Sequence, residues 1–260
     1  MVADTQQDID AEAVLTEVVG GTVLVITLNR PKVRNAIDTS LSLGLRGALQ
    51  RLDADRELRV GVLTGADGTF CAGMDLKEFA RVGKPQGVQV LLREAARKPL
   101  IAAVEGAALG GGLELALLAD LIVAASDAKL GLPETKVGLF PSGGALLRLQ
   151  GVLPIPVITE MVFTGERIGV DRAHQLGLVS RVTEPGGALA AALEIAAQIT
   201  RCAPLGVVAA KELIRIVPAA PIDEFWIRQR ELAAAVQGSR DAREGPAAFA
   251  EKREPLWRNE

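Results

Sequence analysis

The chain has 260 residues, of which 49% are apolar and 23% are charged, and its formal net charge is −3. This composition is typical of a globular protein with a large buried core, and it excludes a disordered chain. The lysines and arginines are scattered along the sequence, which argues against a nucleic-acid partner.

Neither a metal site nor a disulfide has support in the sequence. Cys71 and Cys202 lie far apart, and the single histidine, His174, cannot complete a metal cluster. We expect two free thiols and no metal or cofactor. Residues 1–12 lack the basic start and apolar run of a signal peptide, and we predict a disordered tail there. Because no apolar stretch reaches the roughly 20 residues of a membrane span, we predict a cytoplasmic protein.

The chain begins with a strand pattern and a helix pattern. Residues 13–30, AVLTEVVGGTVLVITLNR, predict a β-hairpin that turns at Gly20 and Gly21. Residues 38–55, DTSLSLGLRGALQRLDAD, place leucines at helical spacing. Asp38 is the expected N-cap of that helix, because a carboxylate can accept the free N–H groups of its first turn.

Strands and helices continue to alternate up to about residue 183. The patterns are a strand (LRVGVLTG), a loop (ADGTFCAGMD), a helix (DLKEFARV), a flexible break (GKPQG), a strand (PLIAAVEG), a helix (GGLELALLAD) and a strand (LIVAAS). This alternation indicates an α/β architecture with parallel strands.

From Ala188 onward the pattern changes to helices alone. The segments GALAAALEIAAQITRCAP, LGVVAAKELIRIV, PIDEFWIRQRELAAAVQG and SRDAREGPAAFAEKR have no strand between them. We therefore divide the chain into a tail (1–12), a core (13–200) and a C-terminal helical segment (201–260).

Three glycines, Gly110 to Gly112, open the helix that carries Glu114. One explanation is that this turn merely reverses the chain at a place where residues with a Cβ would clash. It matches no nucleotide-binding fingerprint and no GxSxG elbow. Alternatively, the free N–H groups at the start of a helix suit an oxyanion that approaches the bare backbone.

Two glutamates are candidates for chemistry. Glu114 is either an exposed helix position or a functional group, since a carboxylate in the apolar stretch LELALL is costly to bury. Glu134 follows Pro133, so it starts a turn or short helix, where an acid is also favoured by the helix dipole. If the two carboxylates face each other, one can act as a base while the other donates a proton.

Five segments resemble the enoyl-CoA hydratase/isomerase (crotonase) family, in the order that the family has them. They are LNRPKVRNAI, CAGMDLKEF, AAVEGAALGGGLELALLADLIVAA, LGLPETKVGLFPSGGALLRL and GPAAFAEKREPLW, and the resemblance runs from about residue 14 to 258. It implies an α/β fold with a crotonase-like ββα superhelical spiral core. It also implies that the C-terminal helical segment forms trimers, commonly paired as hexamers.

The resemblance assigns roles to four residues. The N–H groups of Met74 and Gly111 are expected to hold the thioester oxygen of an acyl-CoA. Glu114 is expected to activate water, and Glu134 to exchange a proton with the α-carbon. Position 74 is often alanine in straight-chain hydratases of the family, so the methionine is expected to reshape the acyl pocket.

Further positions are expected to contact the substrate or its CoA part, which is not a separate cofactor. These are Lys32, Val33, Arg34, Ala72, Asp75, Leu76, Lys77, Phe249 and Lys252. The last two match family residues that often reach a CoA across a subunit boundary. No metal ligand is implied.

The leading functional interpretation is an enoyl-CoA hydratase, which adds water in the syn sense across the 2,3 double bond. Three segments, SGG…LRL, MVFTGERIG and EGPAAFAEKREPLW, resemble the carnitinyl-CoA dehydratase branch of the family more closely. That branch hydrates crotonobetainyl-CoA. A double-bond isomerase is a further alternative, although isomerases of the family often lack one of the two acids. A non-catalytic acyl-CoA-binding or RNA-binding member is also considered, but the acidic net charge argues against RNA.

Overall fold

The structure, a computed structural model, describes residues 13–216 and 222–260. The tail predicted over residues 1–12 lies outside the described residues. The strands in these ranges are β1 (Val14–Val19), β2 (Val23–Leu28), β3 (Val60–Gly65), β4 (Leu100–Val104), β5 (Ala107–Leu109), β6 (Leu121–Ala125), β7 (Lys129–Gly131), β8 (Arg167–Gly169) and β9 (Arg181–Thr183).

The α-helices of the same ranges lie between and after these strands. They are α1 (Thr39–Ala54), α2 (Leu76–Val82), α3 (Val88–Arg93), α4 (Gly111–Ala116), α5 (Ala145–Gln150), α6 (Ile155–Thr164), α7 (Val170–Gln175), α8 (Ala188–Thr200), α9 (Pro204–Ile216), α10 (Ile222–Gly238) and α11 (Asp241–Glu251). Two 3₁₀ turns, Pro31–Val33 and Pro133–Val137, complete the elements near the site.

The strands form two sheets. The larger sheet has the order β1-β2-β3-β4-β6-β9; β1 is antiparallel to β2, and the other neighbours are parallel. The smaller sheet has the order β5-β7-β8. The sequence did not predict the smaller sheet, because its strands have only three residues each and show no readable periodicity.

The predicted hairpin and first helix are confirmed. Gly20 and Gly21 have φ of +58° and +73°, a conformation that glycine adopts without strain, in the three-residue turn between the paired Val19 and Val23. The Oδ1 of Asp38 accepts a hydrogen bond of 2.8 Å from the N–H of Leu41, so Asp38 is the N-cap of α1.

Helix α4 is shorter than predicted. The pattern indicated a helix to Asp120, but the α-helix ends at Ala116. The N–H groups of Leu118 and Ala119 instead donate to carbonyls three residues earlier, which tightens the last turn. The chain thereby turns in time to enter β6 at Leu121.

The inner strands of the larger sheet, β2, β3, β4 and β6, are largely apolar on both faces, as expected for strands covered by helices. One face joins the main hydrophobic cluster, which includes Leu24, Ile26, Leu63 and residues of α1. The other face is covered by Ala188, Ala192 and Ala196 of α8, which pack with Val60, Val62, Ile101 and Val123. Each fully buried leucine or isoleucine stabilises the core by about 1.5–3 kcal/mol.

The C-terminal helices attach near the amino ends of the parallel strands. Lys211 of α9 donates to the carbonyl of Lys98 (2.6 Å) and pairs with Asp120 (2.7 Å), next to the starts of β4 and β6. The indole N–H of Trp257 donates to the carbonyl of Arg201 (2.7 Å). No single helix of the described ranges has the length and apolarity that spanning a membrane requires; α8 and α9 meet that test only jointly, with a bend of 112° between them.

Candidate active site

The site is built where one loop runs beside the smaller sheet. The N–H of Cys71 donates to Ala107 O (2.8 Å), and the N–H of Leu109 donates to Cys71 O (3.1 Å). On the other side, Ile37 donates to Gly73 O (2.8 Å) and Asp75 donates to Ile37 O (2.9 Å). Residues 71–75 are therefore held on both sides by backbone hydrogen bonds.

This loop brings the amides of Met74 and Gly111 together. A Cβ added to Gly111 would lie 3.7 Å from the Met74 nitrogen, and one added to Gly73 would lie 3.6 Å from the Gly111 nitrogen. Gly73 has φ +103° and a Cβ there would lie 2.8 Å from Leu109 O, so the approach requires glycine. Within residues 13–216 and 222–260, neither amide has a hydrogen-bond acceptor. Two free N–H donors can hold one oxyanion.

Glu114 is buried, which excludes the exposed helix position as its explanation. Only 4% of its surface is exposed, and its Oε1 accepts hydrogen bonds from the N–H groups of Gly143 (2.7 Å) and Ala145 (3.3 Å). Burial raises the pKa of Glu114, while these two N–H groups and the charges of Arg148 and Lys84 partly oppose the rise. The side chain is thus fixed, with its second oxygen beside Gly143.

Glu134 lies in the 3₁₀ turn Pro133–Val137, against the bare backbone of Gly110. A Cβ on Gly110, which has φ +53°, would lie 3.2 Å from the Oε1 of Glu134. The Oε2 of Glu134 is buried without a hydrogen-bond partner. Burial, together with the negative charge of Glu114, raises the pKa of Glu134 to about 7. This carboxyl is therefore suited to carry a proton near neutral pH.

The raised pKa of Glu134 predicts a pH-dependent cost to stability. The folded protein keeps this proton up to about pH 7, whereas the unfolded chain releases it near the ordinary value of 4.5. Stability therefore falls as pH rises between these values. We expect Glu134→Gln to remove this fall, so that its melting temperature relative to the parent increases by on the order of 3 °C from pH 5 to pH 8.

Thermal unfolding of the parent and of Glu134→Gln at several pH values measures this effect. Glu166→Gln is the matched control, because Glu166 is exposed and its pKa is lowered by Lys136. A constant difference between parent and Glu134→Gln across pH 5–8 would contradict the raised pKa.

The first candidate CoA segment adjoins the loop that carries Met74. Lys32, Val33 and Arg34 are exposed, and Arg34 has φ +54° after the 3₁₀ turn Pro31–Val33. The carbonyl of Arg34 accepts a hydrogen bond of 3.0 Å from the N–H of half-buried Ala72. Residues 32–34 and loop 71–75 are therefore neighbours, but a contact of residues 32–34 with CoA stays a prediction.

The second candidate CoA segment is the start of α2. Leu76 and Lys77 are exposed there. The Oδ1 of Asp75 caps α2 by accepting from the N–H groups of Lys77 (3.2 Å) and Glu78 (3.3 Å), while its Oδ2 pairs with Arg30 (3.2 Å). The geometry gives Asp75 a structural role, and a contact with the substrate remains a prediction.

Arg30 is a residue near the site that sequence reasoning missed. Its guanidinium pairs with Asp38 (3.0 Å) and Asp75 (3.2 Å) and donates to the carbonyl of Ala36 (2.6 Å). It thereby joins the N-caps of α1 and α2 on either side of Ile37. Apart from the NRP motif, nothing in the sequence indicated this role, because Arg30 and its partners become neighbours only when the chain folds.

Of the two C-terminal candidates, Lys252 makes no contact with Glu114 in the described part of this chain. The side chain of Phe249 lies outside the described residues, although the position belongs to α11. Lys252 is exposed and follows α11. Trp257, which follows it, contacts Arg201 and Arg59 near the amino end of β3.

The cysteines have no partner that would make them a site. Cys71 and Cys202 are free thiols; Cys71 is fully buried, and burial raises its pKa to about 12. Among the residues that the structure describes, no three His, Cys, Asp or Glu side chains cluster as a metal site would require.

Three comparisons with known proteins point to the same family. A profile described as "Enoyl-CoA hydratase/isomerase" matches residues 19–260. The carnitinyl-CoA dehydratase of Escherichia coli K12 is 43% identical over 250 residues, covering 92% of this chain and 95% of that protein. A crystal structure of enoyl-CoA hydratase from Mycobacterium tuberculosis H37Rv superposes with a TM-score of 0.90 at 46% identity, covering 95% of this chain and 99% of the other. An enoyl-CoA hydratase from Polaromonas sp. JS666 superposes at 0.88 with 34% identity, covering 94% and 99%.

Proposed function

Since this chain belongs to the enoyl-CoA hydratase/isomerase family, we propose that it adds water reversibly to the 2,3 double bond of an enoyl-CoA thioester. Its fold is the crotonase-like α/β fold that the sequence predicted. The observation that carries the proposal is that two acids with raised pKa values, buried Glu114 and half-buried Glu134, lie close to the start of α4, where the amide of Gly111 is free.

The thioester carbonyl binds first in this mechanism. Its oxygen accepts hydrogen bonds from the N–H groups of Met74 and Gly111, which strengthen as enolate charge builds on that oxygen. The N–H at Gly111 also carries the partial positive charge of a helix start, although α4 is short. Because both donors belong to the backbone and are fixed by the loop, little reorganisation is needed during the reaction.

Water then adds across the double bond in the syn sense. Glu114, as a carboxylate, takes one proton from the water while the water oxygen bonds to the β-carbon. Glu134, as a carboxylic acid, gives its proton to the α-carbon, which collapses the enolate to the hydroxyacyl thioester. The proton now on Glu114 returns to Glu134 through solvent, and the two titrations are coupled because each carboxylate influences the other.

A substrate panel tests this function. Purified protein is given crotonyl-CoA, longer straight-chain enoyl-CoAs and crotonobetainyl-CoA, and the loss of the conjugated thioester absorbance is followed with identification of the hydroxyacyl product. Hydration of any member supports the proposal. Absence of turnover on the whole panel would favour a non-catalytic acyl-CoA-binding role instead.

Crotonobetainyl-CoA hydration is the second candidate. The 43% identity to a carnitinyl-CoA dehydratase over most of both chains favours it. A kcat/KM higher for crotonobetainyl-CoA than for crotonyl-CoA would select this candidate. Conversion of a 3-enoyl-CoA to its 2-enoyl isomer, without incorporation of water, would instead select the isomerase.

Assembly belongs to the same proposal. Several large apolar side chains are exposed, including Phe140 (67%), Leu147 (79%) and Phe163 (78%). Exposed apolar groups in such number suit an interface. We propose a homotrimer or a dimer of trimers, in which the C-terminal segment 201–260 contributes to assembly. The acyl-CoA is the remaining partner, no separate cofactor is required, and a cytoplasmic location stays a prediction.

We expect light scattering at micromolar concentration to give three or six times the monomer mass.

We also expect Lys252→Ala to raise the KM for CoA substrates, with Lys252→Arg as the charge-preserving control, since a cation near a CoA phosphate binds it by charge. A monomer would contradict the assembly, whereas an unchanged KM in Lys252→Ala would contradict only the CoA contact.

A further inference from the structure

The turn 142–145 is enclosed between two side chains of opposite charge. A Cβ on Gly143 would overlap the carboxylate of Glu114 and the side chain of Leu92. Gly144 has φ +103°, and a Cβ there would lie 2.5 Å from the Nη1 of Arg148. The two glycines are thus required by what packs on each side, and they bring a guanidinium to the back of the turn that binds Glu114.

Arg148 of α5 is held by carbonyl groups and not by an acid. Its Nη1 donates to the carbonyl of Gly143 (3.2 Å), and its Nη2 donates to the carbonyl of Leu92 in α3 (2.6 Å). The side chain is half-buried, and no described carboxylate lies within ion-pair distance of it. A half-buried cation without an ion pair costs free energy, so its position calls for a compensating role.

The same residue of the turn, Gly143, serves both charges through its two adjoining peptide groups. The N–H of Gly143 donates to the Oε1 of Glu114 at 2.7 Å, while its carbonyl accepts from Arg148. The N–H of Ala145 adds a second bond to the same oxygen at 3.3 Å. Fixing the carbonyl of Gly143 therefore fixes the turn whose two amides orient the Glu114 carboxylate.

We propose that Arg148 is a positioning residue for Glu114, whose carboxylate it orients by fixing the carbonyl of Gly143. This inference rests on the proposed hydratase function. The planar guanidinium donates to two carbonyls on two elements, α3 and the turn, in a way that the point charge of a lysine does not reproduce.

The charged groups that face Glu114 act in both directions. Arg148 on α5 and Lys84 on the loop between α2 and α3 lower its pKa, as do the two amide donors. Burial opposes them, and Glu134 is the neighbouring acid whose charge is coupled to that of Glu114. The Nζ of Lys84 lies 3.3 Å from the Oγ of Ser142, so both cations adjoin the turn.

The test is the pH dependence of kcat and kcat/KM for the best substrate of the panel, in the parent, Arg148→Gln and Arg148→Lys. Glu114 must be ionised to take a proton from water, so the acid limb of the profile follows its pKa. In Arg148→Gln we expect kcat to fall by about tenfold or more, with KM changed by less than about threefold. We also expect the acid limb to move up by roughly half to one pH unit, because a nearby positive charge is lost.

Arg148→Lys separates charge from position. It retains the charge, so its acid limb is expected to stay with the parent, while kcat falls because the turn loses its two-carbonyl anchor. Arg93→Gln is the matched control, since Arg93 is an exposed arginine next to Leu92 without an ion pair in the described residues. We expect parental kinetics from this control.

Parental kcat in folded Arg148→Gln, or a lower kcat with an unmoved acid limb and an unchanged profile in Arg148→Lys, would overturn the inference. If Arg148→Gln does not fold, parental kcat in Arg148→Lys would overturn it instead. Failure of the parent to hydrate any substrate would refute the hydratase function itself, and so the two failures are distinguishable.

Discussion

Glu114→Gln and Glu134→Gln are each expected to reduce hydration by at least about a hundredfold, because a general acid or base contributes about 10²–10⁴ to the rate. Glutamine keeps the shape of each side chain. In Glu114→Gln the amide oxygen still accepts from Gly143, but the side chain no longer takes a proton from water. In Glu134→Gln the proton for the α-carbon is lost, although the group beside Gly110 remains.

The measurement is steady-state hydration of crotonyl-CoA, or of the best substrate of the panel, with folding checked by circular dichroism. Glu166→Gln serves again as the control, since it removes an exposed carboxylate and is expected to keep parental turnover. Near-parental turnover by either active-site variant would show that the role given to that acid is wrong.

Gly111→Pro is expected to produce a loss of similar size for a different reason. Proline has no N–H, so the variant removes one of the two proposed oxyanion donors, which typically costs about 3–4 kcal/mol of barrier. Proline is well tolerated at the first position of an α-helix, which Gly111 occupies in α4, so the helix itself is retained. The preceding Gly110, with φ +53°, has the conformational freedom to precede a proline.

Gly111→Ala is the matched control, because it adds a methyl group but keeps the N–H. Its Cβ would lie 3.0 Å from the terminal methyl of Ile37, a flexible side chain that can shift slightly. Turnover by Gly111→Ala should therefore exceed that of Gly111→Pro by about tenfold or more. Equal losses in the two variants would mean that space, and not the donor, limits the reaction.

Met74→Ala changes the side chain of the residue that provides the second proposed donor and keeps the donor itself. The backbone N–H is retained, so chemistry should persist while the preference for acyl-chain length changes. Turnover measured across chain lengths checks this expectation. Abolished activity on every substrate in a folded variant would contradict a purely backbone role at position 74.

Much of the core could be predicted from local sequence patterns. The hairpin at Gly20–Gly21, the Asp38 cap and the alternation of strands and helices are local features, and the structure confirms them. The motifs also directed attention to Met74, Gly111, Glu114 and Glu134. Residues far apart in sequence could be named together because the family order of motifs supplied their proximity.

Features created by tertiary contact were not readable. Arg148 donates hydrogen bonds to the backbone carbonyls of Leu92 and Gly143. Because every residue has a backbone carbonyl, the sequence does not indicate which carbonyls an arginine will contact. Glu114 gave an ambiguous signal until its burial was known, since a glutamate in a helix is equally favoured on the surface. The smaller sheet and the early end of α4 were missed because three-residue strands and a single tight turn carry too little pattern.

Positions in loop 71–75 and at the start of α4 differ in how far they tolerate substitution. Gly73 and Gly112 lie against the carbonyls of Leu109 and Cys71, so any side chain at either position disturbs the backbone frame. Met74, next to Gly73 in the chain, is half-buried and packs against the main hydrophobic cluster. We therefore expect substitutions at position 74 to change the acyl-chain preference while the proposed chemistry is retained. A library for new acyl chains should saturate this position and leave both glycines fixed.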